Sequence, residues 1–134
     1  MNILLLSFIL IMVSSTASEQ PGCVNAIGQP VSWWVILKVP PMIGVSGYGY
    51  YDSNSFSGQF EYVNKSVDLT VSPLTQTLGQ INHEQLDRIA WNDEKPNNQT
   101  SSSKAHSKGV IAYSRLSNRG FYIVHSIPKY PAFL

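Results

Sequence analysis

His106 and Lys108 stand two residues apart. In an extended strand residues i and i+2 point to the same face, so an imidazole and an ammonium would project together toward one ligand. That pairing suits a phosphodiester. The imidazole can attack phosphorus or protonate a leaving oxygen, while the lysine balances charge on the non-bridging oxygens. Taken alone the H-x-K spacing is a weak signal, since a surface histidine near a lysine is ordinarily just solvated. Metal chemistry has less behind it: His83-Glu84 would need a second histidine at position 87, which is Asp87, and Cys23 is the sole cysteine. A reaction without metal or other cofactor is therefore expected. A histidine with the ordinary pKa of ~6.5 donates a proton best in acid, so an acid optimum follows.

The elements that must position these residues are legible as patterns. GVIAYSRL and GFYIVHS, after Lys108, are two apolar, β-branched runs separated by Ser117-Asn118-Arg119-Gly120, which reads as a β-hairpin. With that loop Leu116 faces Phe121, Lys108 faces Lys129, and His125 faces Ala112, roughly 20 Å along the strand from His106. His125 would then be structural support as readily as a catalyst. Val31 to Val39 reads as a strand buried on both faces and stopped by Pro40-Pro41, which favours a sheet covered by helices. Met42 to Phe60 is rich in Gly, Ser and Tyr and reads as loops and short strands. Ser72-Pro73, followed by Leu74, Leu78 and Ile81, marks a capped amphipathic helix. Leu86 to Trp91 is a weak strand, and Asn92 to Lys104 is a polar loop.

Nine basic and eight acidic side chains give no bulk charge to attract nucleic acid, so phosphate binding must be local. Residues 1–17 carry an apolar run from Ile3 to Val13 and then Ser15-Thr16-Ala17, the pattern of a cleaved signal peptide. The run falls short of the ~20 residues that cross a bilayer, so no membrane anchor is expected after cleavage. Residues 18–134 then form one domain. The sequons at Asn64 and Asn98 fit glycosylation on a secretory route, toward secretion or the lysosome. A lone Cys23 in an oxidising compartment implies a missing partner, an intermolecular bridge or a buried thiol.

HSKGV, a hairpin, and then HSIPKYP resemble the corresponding stretch of the deoxyribonuclease II family, a divergent branch of the phospholipase D fold. Gly28-Gln29-Pro30-Val31, Trp33-Trp34, Lys38-Val39-Pro40, Tyr48 to Asp52, Thr77-Leu78 and Asn92-Asp93 agree in order and spacing. The resemblance implies an α/β fold: a mixed β-sheet flanked by helices, one half of a phospholipase D-like pseudo-dimer. It also implies a metal-independent acid endonuclease that cleaves DNA to 3'-phosphate products through a histidine nucleophile. Two H-x-K half-sites meet in that family, and this chain has one. His106 and Lys108 map onto the first half-site, with His125, Ser126 and Lys129 as supporting or phosphate-binding residues; relatives often carry Asn where Lys129 stands. Ser114 and Ser32 replace acidic residues common in relatives. A homodimer or a missing C-terminal half would supply the second half-site, and a catalytically inactive secreted binding protein is the alternative. The sheet should then expose an apolar face or edge where the other half packs.

Overall fold

The computed structural model describes residues 20–42, 45–67, 71–82, 86–93 and 107–127. Its strands are β1 (Trp34–Met42), β2 (Val45–Asp52), β3 (Glu61–Val63), β4 (Asp87–Trp91), β5 (Lys108–Ser114) and β6 (Arg119–His125). Between β3 and β4 lies helix α1 (Pro73–Gly79), continued by a 3-10 turn over Gln80–Asn82. Strands with a helix agree with an α/β class. The single mixed sheet does not appear: among the described residues the strands form two antiparallel sheets, ordered β1-β2-β3 and β4-β5-β6. Also among the described residues, no helix is long and apolar enough to cross a membrane.

Helix α1 begins where the sequence says it should. The Ser72 hydroxyl accepts from the Thr75 backbone N–H at 3.1 Å, and Thr75 Oγ1 accepts from the Ser72 N–H at 3.0 Å, closing a reciprocal capping box with Pro73 in the first turn. Leu74, Leu78 and Ile81 point into one core with Tyr48 of β2, Val110 and Ala112 of β5, and Phe121 and Ile123 of β6. The helix thus joins the inner faces of both sheets. Its polar residues hold the N-terminal segment: Thr77 Oγ1 accepts from the Val24 N–H and from Trp34 Nε1, and Gln80 exchanges two hydrogen bonds with the Gly22 backbone.

β1 departs from its expected form in two ways. It is covered on one face only: Trp34 and Ile36 pack toward the core, whereas Val35 and Leu37 are exposed. It also runs through Pro40-Pro41, with its register shifting between Val39 and Met42. An edge strand tolerates proline because the missing N–H is not needed by a second neighbour.

The hairpin forms, but with a register four residues from the expected one. Ser114 pairs with Arg119 across a loop of residues 115–118, Ala112 pairs with Phe121, and Lys108 pairs with His125. Asn118 takes the positive φ of the turn, at 53°, and Leu116 lies exposed within the loop rather than in the ladder. Gly120 belongs to the strand: a Cβ there would lie 2.9 Å from Tyr113 Cα. Its glycine serves close cross-strand approach, not the turn.

Both sheets leave their outer faces apolar. Ile89, Ile111 and Tyr122 form one cross-strand row, all exposed, with Val124 beside them. On the other sheet Val35, Leu37 and Tyr62 are exposed, and Trp33, Tyr51 and Phe60 form a ring cluster with centroids 5.6 and 5.7 Å apart. The exposed apolar face expected from the sequence is therefore present on each sheet.

Candidate active site

Alternation along β5 puts Lys108 on the inner face with Val110, Ala112 and Ser114, all buried, and alternation along β6 puts His125 on that face with Phe121 and Ile123. Lys108 and His125 are direct cross-strand partners at the end of the sheet. The structure therefore brings together two residues that the sequence-derived register held apart, and it removes the pairing of His125 with Ala112. His106 and Lys129, like His83, Asn98 and the signal segment 1–17, lie outside the described residues. Asn64 and Ser126 are described, and both are exposed.

The Lys108 ammonium does not face solvent. It forms an ion pair with Asp93, which follows β4, and the two side chains are 2% and 7% exposed. Asp93 entered the sequence reading only as part of a resemblance; nothing local marks it as a partner for Lys108. Asp93 compensates the buried charge.

His125 is half-buried, and its Nδ1 accepts the Ile127 N–H at 3.3 Å. The neutral ring accordingly carries its proton on Nε2, an atom closed off from solvent, and has no nucleophilic lone pair to offer a ligand. Burial, and then the neighbouring Lys108 charge, hold its pKa below the ordinary 6.5. The unfolded chain thus takes up this proton first as the pH falls. Stability is lost from 6.5 downward and levels off once the folded imidazole is charged. Melting curves of the wild type and His125→Gln between about pH 7 and about pH 5 are expected to converge toward acid, with the variant losing less; parallel curves would contradict this.

Elsewhere the polar groups are structural. Asp52 is buried, which pushes its carboxyl up, but hydrogen bonds from Tyr50 Oη, the Asn54 N–H and Ser55 together outweigh this and lower it. Burial raises the Cys23 thiol, so thiolate chemistry is disfavoured there.

β1 and β6 each have one edge without a strand partner among the described residues, and residues of both strands line a cleft. Residues 31–34 line it together with residues 118–124, and Trp34, Val35, Ile36 and Lys38 line it together with residues 123–127. His125 and Ser126 border its second part, a cavity of about 500 Å³.

The chain matches the deoxyribonuclease II family over residues 22–134. It is 33% identical to deoxyribonuclease-2-alpha of Rattus norvegicus over 130 residues, covering 86% of this chain and 35% of the relative. It is also 33% identical to deoxyribonuclease-2-alpha of Mus musculus, over 85% of this chain and 35% of the relative. Plancitoxin-1 of Acanthaster planci is 31% identical over 92% of this chain and 37% of its own length. No solved structure gives a significant match. The chain belongs to the deoxyribonuclease II family, and it spans about a third of the length of these relatives.

Proposed function

We propose that this chain supplies one half-site of a metal-independent acid endonuclease that cleaves DNA phosphodiesters and leaves 3'-phosphates. The observation that carries the reading is the cross-strand pairing of Lys108 with His125 in a member of a family whose relatives are named deoxyribonucleases. His106 is the nucleophile, forming a bond from imidazole nitrogen to phosphorus as the 5' oxygen leaves, and water then cleaves that bond. A histidine of the second half-site protonates the leaving oxygen. His125 supports the site as a positioning residue, with Nδ1 held by the Ile127 N–H and Nε2 buried, and its lowered pKa reserves the charged form for acid. Lys108 contributes field through His125 while paired with Asp93, and Lys129 adds positive charge. The second half-site comes from a C-terminal part on a phospholipase D-like pseudo-dimer, or from a second copy. The apolar outer faces support such packing. We further propose cleavage of residues 1–17, glycosylation at Asn64 and Asn98, and secretion or delivery to the lysosome.

Supercoiled plasmid incubated with purified chain at about pH 5 with a chelator is expected to be nicked, and His106→Ala is expected to abolish nicking. Equal nicking by both proteins, or none by either, overturns the catalytic reading; the second result leaves an inactive secreted binding protein. Light scattering on the active fraction is expected to give a dimer, and an active monomer contradicts the need for two half-sites.

A further inference from the structure

Lys108 and Asp93 meet at the end of a ladder. The last pair of β4 with β5 is Trp91 with Gly109, so Lys108 stands one residue beyond it on β5 and Asp93 two residues beyond it on the other chain segment. Lys108 is nonetheless fixed by the sheet, because it begins β5 and pairs with His125 of β6. Asp93 lies past the end of β4, outside both ladders. Among the described residues around the lysine, Val110 continues its row into the core and His125 stands across the strand, and neither can leave without breaking the sheet. The Asp93 carboxylate can swing out with both ladders intact. Yet the ammonium that the H-x-K spacing offers to a phosphate is almost wholly covered, and this carboxylate is what it meets. A buried ion pair is costly to break by removing one charge, so this one opens readily only when another anion replaces the one that leaves.

We propose that Asp93 closes the half-site by standing in for the substrate: its carboxylate occupies the place on Lys108 that a backbone phosphate of DNA takes when the site opens. The proposal rests on the nuclease reading and adds an autoinhibitory contact to it. Lysine binds phosphate as a point charge, and a carboxylate and a phosphodiester each bring it one negative charge, so exchanging one for the other leaves the lysine paired throughout. The exchange also reconciles a buried lysine with a reaction on phosphate, since Lys108 keeps its strand position and only Asp93 moves. A tethered carboxylate competes at a high effective concentration, so phosphate binds the intact chain weakly.

The test is a titration of inorganic phosphate, against chloride at matched ionic strength, followed by thermal melts and by NMR of the Lys108 and His125 side chains. It compares the wild type, Asp93→Ala, the milder Asp93→Asn, and Asp93→Ala combined with Lys108→Met. Asp93→Ala is expected to bind phosphate at least about tenfold tighter than the wild type, to melt higher with phosphate than with chloride, and to show shifted Lys108 and His125 resonances. Asp93→Asn keeps a neutral competitor and is expected to fall between the two. If Asp93→Ala does not fold by itself, phosphate is expected to restore its fold. Adding Lys108→Met is expected to abolish these responses. Equal phosphate affinity in the wild type and both single variants, a response that survives Lys108→Met, or an Asp93→Ala chain that phosphate neither binds nor restores overturns the proposal. Plasmid nicking by the wild type separates it from the reading it rests on. Nicking that depends on His106 without phosphate capture by the variants removes the Asp93 closure alone, and phosphate capture without nicking removes the nuclease reading alone.

Discussion

Asp93→Asn is expected to lower the unfolding free energy by about 3–5 kcal/mol, the usual cost of leaving one member of a buried ion pair without its counter-charge. Lys108 is 1% exposed and Asp93 8% exposed, so water cannot take over the role of the missing charge. Lys108→Met is expected to cost a similar amount, because it strands the carboxylate instead. Removing both charges with Asp93→Leu and Lys108→Met is expected to recover most of the loss, since apolar replacements of buried pairs are often neutral. Urea unfolding followed by tryptophan fluorescence reads these proteins together with the Asp93→Leu single variant, which closes the cycle. Additive losses in the double variant would show that the two side chains do not act as a pair.

That pair also marks where the sequence stops being informative. The start of α1 was readable because Ser72, Pro73 and the Leu74–Leu78–Ile81 stripe are local signals, each acting within one or two turns. The existence of the β5–β6 hairpin was readable for the same reason. Its register was not, because Asn118 and Gly120 both look like turn residues, and only the folded chain distinguishes them. Asn118 takes the positive φ, while Gly120 sits in the ladder opposite Tyr113. The difference of four residues preserves which face each side chain occupies, since faces alternate with period two, but it moves the partner of Lys108 from Lys129 to His125. Site composition therefore depended on the turn, a feature whose signals are degenerate. The contacts of Lys108 with Asp93, and of Lys38 with the cavity shared by His125, join distant parts of the chain and leave no trace in local spacing.

Gly109 stands beside Lys108, and its place in the HSKG run has a steric cause. The Trp91 indole lies across Gly109, donates from Nε1 to Ser107 Oγ at 2.9 Å, and stacks on Tyr122 with centroids 6.1 Å apart and planes 25° from parallel. A Cβ at position 109 would meet Trp91 Cη2 at 2.5 Å and the Ile123 carbonyl at 2.6 Å. The ring could swing away, but the carbonyl belongs to the ladder and moves only if β6 moves. Gly109→Ala is accordingly expected to cost about 1–3 kcal/mol through overpacking. Trp91→Ala in the same chain removes the ring clash and leaves the carbonyl clash, so a partial rescue is expected in thermal melts. Full rescue would assign the whole strain to the indole, and no rescue would assign it to the β5–β6 ladder. Because His125 pairs with Lys108 one residue away, a shifted ladder also alters the site. In that case Gly109→Ala moves the His125 imidazole resonances as well as the melting temperature, whereas strain taken up by Trp91 alone leaves those resonances in place.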